Sequence, residues 1–373
     1  VSDARVAISA TGLACGLGLD LPTTLAALAA GAAAPHDLDD APAHSPVARA
    51  APAVVEDLEA RVPGDLESQV KFLNGSGRLA VLAAREAMQA LETAGLDLVT
   101  IPPRRRSLYL AQLDAADWDC NVLRPAVEFV QQTDEALTPG QGLNKQISRR
   151  TKPFFLLEGL KNNCFSFVTQ WFEMRGPNTS TAGISHADFQ AFDAAVRAVE
   201  DGRTDLGMVL GAAVTSEAVA RADVLRSPLL AARTHALVPG DAAACVVLES
   251  DAALAASGRP ALAFVEAQIA RHGPRGPEGP TPETLRGAVT TALGDAAVQI
   301  VVAPPEAWDM AQGLPALADV RWVDLQGALG HTGPAAFVAD VVAAVAKLEA
   351  GERALVLSSG LLGQAGALLL RKA

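Results

Sequence analysis

The residues best placed for chemistry are one serine and two histidines. Gly183-Ile184-Ser185-His186-Ala187 follows Gly176-Pro177-Asn178-Thr179-Ser180-Thr181-Ala182 and precedes an amphipathic run ending at Glu200. This pattern predicts a short strand from Asn178, a sharp turn at Gly183 and a helix from about His186. Ser185 then lies where backbone N–H groups and the positive end of a helix dipole converge. A nucleophilic hydroxyl suits that point, and G-x-S-x-A approximates a nucleophile elbow. Serine at a helix start is also explained by simple N-capping. A nucleophilic serine needs a general base, and His186 beside it and His331 much later are the two candidates.

The elements that must position these groups form two runs, expected at residues 1–250 and 251–373. In the first, strands are expected at Arg5–Ser9, Arg106–Gln112, Asp205–Ala213 and Ala243–Leu248, with a turn at Thr11-Gly12. Helices are expected at Leu21–Ala30, Gly77–Ala94 and, mostly apolar, Phe154–Met174. The second run repeats the order in shorter form. Strands at Ala261–Ile269, Val298–Ala303, Arg321–Asp324, Ala354–Ser358 and Ala367–Leu370 alternate with helices at Thr281–Leu293 and Pro334–Leu348. Near-continuous apolar strands between helices point to an α/β fold with parallel-type sheet covered on both faces. In each run a polar loop precedes the helix leading to the penultimate strand. Ser185 is in the first such loop and His331 in the second, so a duplicated fold brings them to one crevice.

Composition narrows the classes of partner. The formal charge of −12 argues against non-specific binding to nucleic acid or an anionic membrane. A mean hydropathy of +0.23 with 19% charged residues implies a large core or an extensive subunit interface. Cys15, Cys120, Cys164 and Cys245 form no C-x-x-C pair, and the histidines do not cluster at metal spacing. No metal site and a reducing compartment are therefore expected. No signal-like N-terminus or long apolar run is seen, so a soluble cytoplasmic protein is expected.

Five segments in order resemble the thiolase-fold condensing enzymes, specifically the β-ketoacyl-acyl carrier protein synthases. They are R-V-A-I-S-A-T-G-L from Arg5, K-P-F-F-L-L-E-G-L-K-N-N from Lys152 with R-G-P-N-T-S-T-A from Arg175, and A-V-R-A-V-E-D-G-R-T-D-L-G-M-V-L-G from Ala195. V-P-G-D-A-A-A-C-V-V-L-E from Val238 and L-G-H-T-G-P-A-A from Leu329 complete the set. The resemblance implies two pseudo-repeated βαβαβαββ halves in a five-layered α-β-α-β-α arrangement. Enzymes of that family use a cysteine nucleophile, two histidines and a supporting lysine. Here Ser185 matches the cysteine, and Pro304-Pro305-Glu306-Ala307-Trp308 replaces the first histidine's motif. Gln326 stands where the lysine is expected, and His331 matches the second histidine.

Two readings follow from those departures. In one, the chain is a chain-length-factor-type subunit that pairs with a cysteine-containing ketosynthase, as a heterodimer or larger, in type II polyketide or fatty acid biosynthesis. Phe154 and Phe155 match the family position that reaches the dimer interface and are candidate tunnel-lining residues; ordinary core packing explains them equally. In the other, Ser185 serves a serine-dependent acyltransferase or thioesterase. No cofactor of the chain's own is expected, since phosphopantetheine arrives on an acyl carrier protein. Arg104-Arg105-Arg106, or Arg149-Arg150 with Lys152, could meet that acidic partner, although such runs also occur as solvated surface.

Overall fold

The computed structural model describes residues 5–33, 53–113, 162–216 and 238–373, with a few isolated positions between them. Strand β1 (Val6–Cys15) is buried throughout and continues past the turn expected at Thr11-Gly12. Gly12 is there for close approach rather than for turning. A Cβ on it would stand 2.2 Å from the Ala83 carbonyl oxygen, so only glycine lets the strand lie flat against the helix containing Ala83.

The first half continues with α1 (Leu21–Ala29), α2 (Gly75–Thr93), β2 (Arg106–Gln112), α3 (Asn162–Trp171), β3 (Thr179–Ala182), α4 (Ala187–Glu200), β4 (Leu206–Val214) and β5 (Asp241–Ser250). After α5 (Asp251–Ser257), the second half contains β6 (Ala263–His272), α6 (Pro282–Leu293), β7 (Ile300–Val302), α7 (Pro305–Ala311) and β8 (Arg321–Val323). It ends with the short α8 (Gln326–Leu329), α9 (Ala336–Lys347), β9 (Arg353–Ser359) and β10 (Gln364–Lys372).

Both halves arrange their five strands in one order: third, second, fourth, fifth, first. In each, the first three positions of that order are parallel neighbours and the fifth strand runs antiparallel to both its neighbours. The sheet is therefore mixed rather than parallel-type throughout. In the second half the turn 360–363 between β9 and β10 is too short for a crossover helix, which forces a hairpin. β1 pairs antiparallel with β6 from Val6↔Val265 to Ile8↔Ala263, joining the halves into one ten-stranded sheet.

Three apolar clusters alternate with the two half-sheets. α2 and α3 cover Leu108, Leu110, Met208 and Val247 on one outer face. α6 and α7 cover Val301, Leu355 and Leu369 on the other. Between the half-sheets, α4 and α9 pack against Val209 and Val246 on one side and Val302 and Val356 on the other. This is the α-β-α-β-α order of a thiolase-like fold. It explains why α9 reads A-F-V-A-D-V-V-A-A-V-A-K, since a helix covered on both faces is apolar nearly all round. Phe154 and Phe155 lie outside the described residues.

Candidate active-site crevice

The elbow forms because β3 ends beside β2 and the chain reverses at once. The Gly183 N–H donates to Gln112 O at 3.0 Å, and Thr181 Oγ1 donates to Ala187 O at 3.0 Å. Helix α4 starts at Ala187, and its N-cap His186 has φ +64°, in the left-handed region. Such a conformation costs a non-glycine residue about 1–3 kcal/mol and is held only by strong surroundings. Those surroundings are visible. The buried imidazole stacks on Phe189 at 4.9 Å, and its Nδ1 lies 2.9 Å from Ser358 Oγ at the end of β9. Burial, with His272 nearby, pushes this imidazole down to about 4, so it is neutral near pH 7.

Ser185 is half-buried, and its Oγ accepts the Leu361 N–H at 3.1 Å. The base suggested by adjacency, His186, is thus turned toward Ser358 instead. His331 is buried in the segment between α8 and α9. Its carbonyl accepts from Gly240 N at 3.2 Å and Thr215 Oγ1 at 2.8 Å, fixing the second half's loop to the first half.

Carboxyl groups complete the crevice. Asp188, in the first turn of α4, accepts N–H groups at the start of α9: Phe337 at 2.6 Å and Val338 at 3.4 Å. One central helix thereby caps the other. Burial outweighs those bonds and lifts Asp188 to about 6. Asp340, one turn further along α9, is raised well above the ordinary range by burial, then by Asp188, Asp324 and Glu306. Glu306, near the start of α7, accepts from Ser359 Oγ at 3.3 Å.

Ser185, His186, Asp188, Glu306, Gln326, His331, Asp340 and Ser358 all line one crevice between the half-sheets. It measures about 340 Å³ between atom surfaces, with about 30 Å³ open to the centre of a water molecule. No lysine or arginine is among its lining residues. It holds hydroxyls, an amide, imidazoles and carboxyl groups, with no cation to balance developing negative charge. Among the described residues, no group of three or more His, Cys, Asp or Glu side chains has metal-holding geometry.

The fold thus brings Ser185, Gln326 and His331 together. Sequence reasoning passed over Asp188, Glu306, Asp340 and Ser358. Asp340 had a usable signal, a lone acid in an otherwise apolar helix. Glu306 lay inside the Pro304–Trp308 segment, read there only for its missing histidine. Of the arginine run, Arg106 is buried and donates to Ile101 O at 2.8 Å and Phe172 O at 3.1 Å. Arg105 pairs with Asp205, leaving Arg104 the exposed member. Cys164 is buried, its thiol pushed up to about 12 by desolvation, as befits a small apolar filler.

A duplicated thiolase-like fold with a polar crevice between its halves defines the class. Residues 3–253 match the model for the N-terminal domain of β-ketoacyl synthases. The chain belongs to the β-ketoacyl synthase family. No curated protein sequence matches it. Among solved structures, it is similar to the AntDE:AntF complex, described as a type II PKS acyl-carrier protein in complex with its ketosynthase bound to the hexaketide. That likeness has a TM-score of 0.75 at 13% identity and covers 99% of both chains. A β-ketoacyl synthase from Burkholderia phymatum STM815 superimposes with TM-score 0.73 at 18% identity, covering 99% of this chain and 100% of that one. The oxazolomycin ketosynthase domain OzmH KS7 of Streptomyces albus JA3453 gives 0.74 at 16%, covering 100% of this chain and 74% of that one.

Proposed function

We propose that this chain is a non-condensing partner, of chain-length-factor type, for a cysteine-bearing β-ketoacyl synthase in type II polyketide or fatty acid biosynthesis. The carrying observation is a crevice lined by acids with no cation among its lining residues. Decarboxylative condensation brings in a malonyl-type carboxylate and builds an enolate, both negative. Asp188, Glu306 and Asp340 line the space where that charge would develop, with no lysine or arginine among the lining residues. Glu306 falls in the segment matching the first histidine's motif, Gln326 at the lysine's position and Ser185 at the cysteine's. Each change replaces a thiol or a cationic donor with a weaker group, and Glu306 puts a carboxyl group where the first histidine's motif is expected.

What such a subunit keeps is fold and interface. β3 is the last strand of its half-sheet, and its outer edge has no partner strand among the described residues. An uncovered sheet edge suits pairing with a second chain. The acyl chain would then be held by the active subunit, with Phe154 and Phe155 as candidate tunnel residues. The AntDE:AntF complex contains an acyl-carrier protein, which supports a carrier protein as the partner delivering phosphopantetheine-bound substrate. Acyl transfer or thioester hydrolysis on Ser185 has less behind it. Ser185 Oγ is engaged by the Leu361 N–H, and the adjacent imidazole faces elsewhere.

Co-expression with a cysteine-bearing ketosynthase is the test. A stoichiometric heterodimer whose condensing activity needs the partner's cysteine, and is insensitive to Ser185→Ala, is expected. A stable homodimer that captures no ketosynthase would remove the proposal.

A further inference from the structure

We infer that the crevice contains a second serine–histidine site, in which Ser358 is the nucleophile and His186 its general base, directed at a neutral acyl thioester. Three observations meet there. The strained residue at the tip of the elbow is His186, with φ +64°, so the turn presents an imidazole to the crevice. That imidazole is fixed on two sides, by the Phe189 ring at 4.9 Å and by Ser358 Oγ at 2.9 Å from Nδ1. Ser358 is the last residue but one of β9, the penultimate strand of the second half, and lines the same crevice. A neutral imidazole with its nitrogen on a serine hydroxyl is the arrangement that activates such a hydroxyl. The base comes from one half and the hydroxyl from the other.

The surroundings set the substrate class. Glu306 and Asp340 line the approach and disfavour an acyl group bearing its own carboxylate. In the step proposed, Ser358 Oγ bonds to the thioester carbonyl carbon and the C–S bond breaks. The hydroxyl proton passes to His186 Nδ1 and then to the leaving thiolate, so the products are an acyl-serine ester and a free thiol. The Leu361 N–H, now on Ser185 Oγ, is the donor assigned to the carbonyl oxygen. This inference is independent of the partner-subunit reading, which is tested by co-purification.

The experiment exposes the full chain to the acetyl thioester of N-acetylcysteamine, followed by intact mass and peptide mapping. One acetyl group on Ser358 is expected in the wild-type chain and in Ser185→Ala, and none there in Ser358→Ala. His186→Gln should slow acylation about 100-fold, within the range general bases contribute. Should that variant fail to melt cooperatively, the pH profile of the wild-type chain decides. Acylation through the buried imidazole should show no step at the ordinary histidine value, and a fall centred near pH 6.5 that persists in Asp188→Asn, which removes the crevice acid lifted to about 6, would exclude His186. Acetyl on Ser185 instead, or no adduct on the wild-type chain, overturns the assignment.

Discussion

Glu249 and Asp340 are acids buried in the same layered fold, one in each half, and their surroundings are opposite. Glu249, at the end of β5, is fully enclosed and fully answered. Arg259 donates to both its oxygens, one of them at 3.1 Å, and Ser9 Oγ donates at 2.7 Å. Asp340 projects from α9 into the crevice, where its neighbours are Asp188, Asp324 and Glu306. Among the described residues no hydrogen-bond donor reaches its carboxyl group. Where buried charge holds strands in place, the fold pairs it. Where a buried acid faces the crevice, it is left among other acids, an arrangement that costs stability once it ionises and is common at functional sites.

The largest effect should come from breaking the paired acid. Arg259→Ala leaves Glu249 enclosed and without its cation, and should cost about 3–5 kcal/mol. Denaturant unfolding would show this as a lower midpoint with unchanged slope. A loss below about 1 kcal/mol would mean that Glu249 is answered by Ser9 alone.

The unpaired acid should behave in the opposite sense. A carboxyl whose pKa is higher folded than unfolded takes up protons on folding. Its presence is harmless below about pH 4 and costs stability as pH rises through its folded value. For Asp188, raised from 3.8 to about 6, that cost is about 3 kcal/mol above pH 6, and Asp340 acts in the same direction. His186, lowered to about 4, acts the other way, losing stability as pH falls below its ordinary 6.5. The readout is therefore the difference between Asp340→Asn and the wild-type chain. Asp340→Asn should match it near pH 4 and exceed it by about 1–3 kcal/mol near pH 8. Parallel pH profiles would mean that Asp340 is neutralised by something other than a proton.

How much of this contrast could be read from the chain depends on the distance over which each feature is set. The strand Arg106–Gln112 and the helix ending at Glu200 follow from local periodicity and were legible to within a residue or two. The duplicated halves were legible because each repeats an apolar order. The crevice was half legible: Ser185 and His331 follow from motif position, but His186 meeting Ser358 is a contact across 172 residues with no local trace. Gly12 misled for the same reason. A glycine that admits a neighbouring helix looks, in sequence, like one that makes a turn. The acids were missed because Asp188 and Glu306 stand at ordinary helix-start positions, where a carboxylate usually needs no explanation beyond the dipole.

The sharpest way to close the gap between the two acids is to supply Asp340 with what Glu249 already has. Gln326 lines both the main crevice and the small adjoining one, and Asp340 lines the same two. A lysine there would bring an ammonium group into a cluster of carboxylates that has no cation among its lining residues. Gln326→Lys should therefore stabilise the chain by about 1 kcal/mol near pH 8, the favourable end of what a single ion pair contributes. The gain should shrink toward pH 4, as the carboxyl groups protonate. It should also shrink in the Asp340→Asn background, and the double-mutant cycle isolates that coupling. A gain that persists undiminished without Asp340 would assign the stabilisation to Glu306 or Asp324, and the contrast with Glu249 would then belong to the whole crevice rather than to one residue.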